Sequence, residues 1–343
     1  MAETDGHGWP ARLTYAEECA MKNPPRLASR GLRFPAAVGL SLAIMSLNGP
    51  VFAAGGTTAV RLPDGCRFPE SVTSDANGTL FVSSIADGGV LKVAADGAVT
   101  SQFLKPGENG TRSTFGLLAD PKRGVLWVAS NDATALGVKG PTDTEGAWIK
   151  AFDVGTGVMK TSVRLPGAKA LANDMALGGD GSLYVTNTFA PQILRLKPGA
   201  KEFEVFVENP VLAKGLDGIA IGGDGNLYVN TFMGGELFRI AMNQGVAGEV
   251  TQLETTRPLK FPDGLRTFKD GFLMVEGSGA LSRVTVSGNA AKIEPIHQFA
   301  GPTGVTVAGD KIWVAEGQLG LMSKPVEAGS EAPSFHLRSM DAP

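Results

Sequence analysis

Glu70, Asn173, Asp217 and Asp263 are the residues of this chain whose types and spacing could do chemistry, because each stands at the same point of a repeated pattern. Three carboxylates and a carboxamide converging on one small space would repel unless a cation neutralised them. A set of oxygen ligands with no Cys and no His suits a hard divalent ion, Ca²⁺ or Mg²⁺, with Mn²⁺ or Zn²⁺ as substitutes. Such an ion, left partly open, can polarise a carbonyl while a neighbouring carboxylate takes a proton from water.

The pattern that aligns them is an apolar alternating stretch, a turn with Asp-Gly or an equivalent, and a strand rich in aromatic and β-branched residues. Six copies run in order: ESVTSDANGTLFVSS, FGLLADPKRGVLWVAS, NDMALGGDGSLYVTN, DGIAIGGDGNLYVNT, DGLRTFKDGFLMVEG and TGVTVAGDKIWVAEG. Their first residues, Glu70, Phe115, Asn173, Asp217, Asp263 and Thr303, are spaced by 45, 58, 44, 46 and 40, with the longer interval carrying an insertion at Lys139–Gly146. Further alternating strands follow each copy, so the unit has four strands and an apolar face that it cannot bury alone. The expected fold is all-β, a six-bladed propeller of four-stranded antiparallel blades. TAVRLP at 58–63 matches TSVRLP at 161–166, from which the mature N-terminal strand is expected as the outermost strand of the last blade, closing the ring outside Ser334–Met340, with the reverse order of the two strands as the alternative.

In such a ring the innermost strands begin at one face, which is why the six opening residues should meet near the axis. Asp180-Gly181, Asp224-Gly225 and Asp270-Gly271 fall at the opposite face and read as hairpin turns. Loops after the second strands open on the column's face, and among their residues Asn187 and Glu276 are the pocket candidates, to contact substrate or to support the residues that do. His297, ahead of the last blade, is a further pocket candidate. Phe115 and Thr303 are the two non-ligating members of the column and would face the pocket.

The N-terminus reads as a leader. From Met21 there is a basic segment with Lys22, Arg26, Arg30 and Arg33, an apolar run from Phe34 to Leu47, and small residues that place cleavage after Ala53 or Ala54. The run is too short for a comfortable membrane span. The expected organisation is therefore a removed leader over 1–54 and one propeller over 55–343, exported to a periplasmic or secreted location. Cys19 would leave with the leader and Cys66 remain alone, so no internal disulfide is expected. A formal net charge of −3 gives no reason to expect a nucleic-acid partner, and the partner expected is a small-molecule substrate. No Gly-x-Ser-x-Gly elbow and no phosphate-cradling glycine loop is present.

Phe-Pro-Glu-Ser at 68–71, Asn-Asp-Met-Ala at 173–176 followed by LYVTN, and Pro-Asp-Gly-Leu at 262–265 resemble the senescence-marker-protein/gluconolactonase/luciferin-regenerating-enzyme family, with paraoxonases as distant relatives. The resemblance covers about residues 58–340 and implies a catalytic divalent ion on the propeller axis, hydrolysing lactones or related esters. Glu70 and Asn173 match the family's metal ligands, and Asp263 matches its catalytic aspartate, a ligand and base. Where members usually carry a second asparagine this chain has Asp217, an added negative charge. YVTN at 184–187 is also similar to YVTN/NHL-like propellers that only bind, the alternative function. A metal-free propeller resembling strictosidine synthase would need Glu276 or Glu316 as base.

Overall fold

The computed structural model describes residues 58–323 and 332–343, so the leader and part of the Gly317–Pro333 loop lie outside the described residues. Among the described residues six sheets follow one another, five of them wholly antiparallel. Their innermost strands are Val72–Ser74, Ser113–Asp120, Ala172–Leu177, Leu216–Ile221, Pro262–Phe268 and Gly304–Ala308, here the inner strands of blades 1 to 6. Each inner strand packs on the next, and that of blade 6 on that of blade 1, so the inner strands form a closed cycle. This is the six-bladed propeller that the repeat spacing predicts. The only helices among the described residues are four 3₁₀ turns of three residues each.

Blade 6 takes its outermost strand from the start of the described chain, where Thr58–Arg61 pairs antiparallel with His336–Asp341. Blade 5 has five strands, because Glu254–Thr255 pairs in parallel with Ala290–Gln298.

Burial follows position in the blade. The second strands are largely buried, Leu183–Asn187 and Leu227–Thr231 at every residue, since neighbouring blades cover both faces. Outer strands, such as Met159–Arg164, are mostly exposed. Six apolar clusters lie one between each pair of adjacent blades, as stacked sheets require. Turns between first and second strands are closed by Asp side chains: Asp75 Oδ1 accepts from Asn77 N and Thr79 N at 2.9 Å, and Asp180 Oδ1 from Ser182 N at 2.9 Å. These aspartates serve the backbone, as the hairpin reading expects.

The insertion at 139–146 is pinned by the buried Arg112. Its Nε donates to Lys139 O at 2.8 Å, its Nη1 to Thr144 O at 3.1 Å, and it ion-pairs with Asp132 at 3.1 Å.

Candidate metal centre

Delivery of the column side chains to the axis depends on a repeated irregularity. In blades 2, 3, 4 and 5 the pairing of the inner strand with its neighbour slips at the column: between Thr114 and Leu117, Ala172 and Met175, Leu216 and Ile219, and Pro262 and Leu265. A bulge of this kind breaks the alternation of the strand and re-aims the side chain it carries. The residue after the column residue is glycine in four blades, and at Gly218 an added Cβ would lie 2.3 Å from Asp263 O. The inner strands therefore approach closer than any side chain would allow.

Two residues ahead of Glu70 and of Asp263 the chain turns through the left-handed region, at Phe68 (φ 52°) and Phe261 (φ 57°). Glycine occupies the corresponding places before Asp217 and Thr303, Gly215 (φ 76°) and Gly301 (φ 54°). A phenylalanine held there, each time followed by proline, is a strained conformation that the surroundings must enforce.

Glu70, Asp217 and Asp263 each bring a carboxylate oxygen within 4.8 Å of the others, and all three are buried. Asn173 joins them by donating from Nδ2 to Asp217 Oδ2 at 3.0 Å and to Thr188 Oγ1 at 3.1 Å. What remains is telling: Glu70 Oε2, Asn173 Oδ1 and Asp217 Oδ1 are buried with no hydrogen-bond partner. Buried polar atoms are ordinarily satisfied, so three such oxygens from three blades leave acceptor capacity that a cation could take up. The donor set is all oxygen and anionic, which fits a hard divalent ion.

Electrostatics agree. Burial above all, with the Asp217 and Asp174 charges added, raises the Glu70 carboxyl well above its ordinary range. Burial pushes Asp217 up to about 7, with Asp174 contributing next. Asp263 is raised by burial, then by Asp217 and Glu70. Without a cation, burial and mutual repulsion favour the uncharged, protonated forms of these carboxyls.

Two residues that the sequence reading passed over complete the site. Asp174 stands where blades 2, 4, 5 and 6 have glycine, and Arg266 of blade 5 reaches it across the ring. Arg266 Nη1 lies 2.5 Å from Asp174 Oδ2, Nη2 donates to Asp174 Oδ1 at 2.9 Å, and Nη1 to Leu265 O at 2.9 Å. Asp174 also accepts from Met175 N at 2.8 Å and from Ile219 N at 3.3 Å. The bidentate pair ties blades 3, 4 and 5 together and sets a fixed positive charge beside the cup. Its signal was available: an aspartate breaking a column of glycines, and an arginine on an inner strand.

The remaining candidates lie elsewhere or are engaged. Phe115 is buried in the apolar cluster between blades 2 and 3. Asn187 Oδ1 accepts from Leu171 N at 3.1 Å, which shapes the approach to Asn173. Glu276 is ion-paired with Arg257, and its Oε2 accepts from Lys260 N at 2.7 Å. Thr303 Oγ1 donates to Pro69 O at 2.8 Å, linking blade 6 to blade 1. His297 is on the fourth strand of blade 5, Ala290–Gln298, its ring 4.6 Å from that of Phe299, and is not brought to the column.

No protein-family model and no curated protein matches the sequence. Solved structures match it throughout the propeller. A gluconolactonase from Xanthomonas campestris superposes with a TM-score of 0.61 at 16% identity, covering 83% of this chain and 90% of its own. A luciferin-regenerating enzyme gives 0.57 at 12% identity, covering 84% and 96%. A virginiamycin B lyase from Staphylococcus aureus, solved with quinupristin, gives 0.54 at 18% identity, covering 83% and 99%. At these identities what is shared is the propeller fold, and the neighbours' differing names show that this fold carries more than one chemistry. Among the described residues no helix is long and apolar enough to cross a membrane.

Proposed function

We propose that the chain is a divalent-metal-dependent hydrolase of lactones or related esters. One observation carries the reading: the three unpartnered buried oxygens of Glu70, Asn173 and Asp217, set with Asp263 in one cup. Glu70, Asn173, Asp217 and Asp263 would hold the ion, Ca²⁺ fitting the all-oxygen set best. When bound, it supplies Lewis acidity toward a substrate carbonyl. The gluconolactonase and luciferin-regenerating-enzyme neighbours support the hydrolase reading over other uses of the fold.

Within it the chain's own groups have distinct tasks. Asp263, when ionised, takes the proton of the water that adds to the carbonyl carbon, and returns it to the alkoxide oxygen as the ring C–O bond breaks. Asp217 and Thr188 fix the Asn173 carboxamide so that its oxygen stays available. Arg266 balances part of the added charge of Asp217 from beside the cup. The leader pattern over residues 21–54 further supports export, to be tested by sequencing the mature N-terminus.

The test is hydrolysis of a lactone panel by protein stripped with chelator and reloaded with calcium. Activity should vanish on stripping and return on reloading, and Asp263→Asn should lose about a hundredfold or more, the usual worth of a general base. Turnover indifferent to both manipulations overturns the reading, as does an inert panel with every divalent ion tried.

A further inference from the structure

Several polar groups next to the column are spent on the protein's own backbone or on ion pairs. Asn187 serves Leu171 N, Asn230 accepts from Gly218 N at 2.9 Å and donates to Asp263 O at 2.6 Å, and Thr188 donates to Leu216 O at 2.7 Å. Thr303 is bonded to Pro69 O and Glu276 to Arg257. A polyhydroxylated ring needs paired donors and acceptors along its length, and leaving them unmet is costly. Lys260, exposed one residue before Phe261, offers donors but no acceptor.

Beside the exposed Arg67, Lys214 and Lys260, apolar side chains also stand next to the column. Phe68 and Phe261, both half-buried, lie two residues ahead of Glu70 and Asp263. Phe68 packs edge-on against Phe335 with centroids 4.8 Å apart, and Phe261 against Phe232 at 5.3 Å. Phe189, 37% exposed, follows the Thr188 that holds Asn173. Met233 sits over Gly215, two residues ahead of Asp217. Leu319 and Met322, half-buried on the blade 6 loop, join Phe68 against the same apolar cluster. Apolar side chains thus reach the rim from blades 1, 3, 4, 5 and 6 while keeping some surface in water. A partly exposed apolar ring around a buried polar cup is the arrangement of a pocket for a ligand with one reactive polar end and a greasy remainder.

We infer that the substrate is a lipophilic lactone or ester, whose carbonyl enters the cup while an alkyl or aryl tail lies on Phe68, Phe189, Met233, Phe261, Leu319 and Met322. The inference rests on the hydrolase reading for the chemistry and on the rim for the substrate class. Calcium-loaded full-length protein is assayed on a γ-lactone series with tails from methyl to decyl, and on D-glucono-δ-lactone. In parallel, alkyl lactams of matching length, which resist hydrolysis, are titrated by calorimetry.

Each methylene buried on the rim should raise kcat/KM and lactam affinity by up to about fourfold, until the tail outgrows the mouth. The sugar lactone should be at least a hundredfold poorer than the octyl lactone. Phe189→Ser, at an exposed position, and Met233→Ser, at a half-buried one, should flatten the dependence on tail length. A sugar lactone that matches the alkyl series, or a flat series, overturns the inference and leaves the hydrolase reading standing. Lactam binding that climbs with tail length without turnover of any lactone overturns the hydrolase reading and upholds the rim. No turnover and no tail-dependent binding overturn both.

Discussion

Replacing Arg266 by methionine removes the partner of a carboxylate that has nowhere else to go. Asp174 is 4% exposed, and its two guanidinium contacts at 2.5 and 2.9 Å would be lost together. It would keep only the Met175 and Ile219 amides. Breaking one side of a buried pair costs about 3–5 kcal/mol, and the two retained amides set the expectation near the lower end, about 3 kcal/mol. For a domain of this size that corresponds to a fall in Tm of roughly 6–12 °C. The assay is urea and thermal unfolding at pH 7.5 in chelator, where the cup's own charges are not relieved. A second variant separates the pair from mere packing: Arg266→Met with Asp174→Gly restores the glycine that four other blades carry at this place. It should be more stable than the sum of the single losses predicts, by about 1.5 kcal/mol or more. An Arg266→Met cost under about 1 kcal/mol, or strict additivity in the cycle, would refute the view that this pair is a structural counter-charge.

Metal-free stability should depend on pH in a fixed sense. Glu70, Asp217 and Asp263 are raised in the folded chain, Asp217 to about 7, so between about 4 and about 7 the folded state holds more protons than the unfolded. Stability is then greatest on the acid side and falls as pH rises through that window. Urea midpoints in chelator at pH 5 and 7.5 check it, and calcium at pH 7.5 should recover the loss. Gly218→Ala places a Cβ 2.3 Å from Asp263 O and 2.8 Å from Leu265 N, both backbone, and should cost about 2–3 kcal/mol in denaturant titration with calcium affinity reduced. Burial pushes the Cys66 thiol up to about 12, so a thiol reagent at pH 8 should modify native protein only as fast as it opens, and urea-unfolded protein at once.

Much of the fold could be read before any coordinates, because a propeller repeats one local solution six times. Asp-Gly turns followed by strands such as LYVTN and LYVNT recur at blade spacing, and the turn aspartates make the backbone bonds their position implies. The column was legible for the same reason: cyclic order turns equal position in the repeat into common position near the axis. What local pattern does not encode is which polar atoms are already taken. Asn187 and Thr303 look like pocket residues in a string of letters, yet both satisfy backbone groups where the chain bends toward the column. Asp174 and Arg266 were missed because their pairing spans 92 residues and depends on two inner strands facing each other across the ring. Phe68 and Phe261 read as ordinary aromatics, and only the backbone shows that both are held at positive φ.

The proposed chemistry requires that the buried oxygens of Glu70, Asn173, Asp217 and Asp263 hold a divalent ion. Elemental analysis of purified protein after dialysis against calcium, with parallel calorimetric titration of the stripped chain, measures this without reference to any substrate. The account predicts a single tightly held ion per chain, lost in Glu70→Gln and in Asp263→Asn while both variants remain folded by circular dichroism. A wild-type chain that retains no ion, or a Glu70→Gln chain that retains it undiminished, would contradict it.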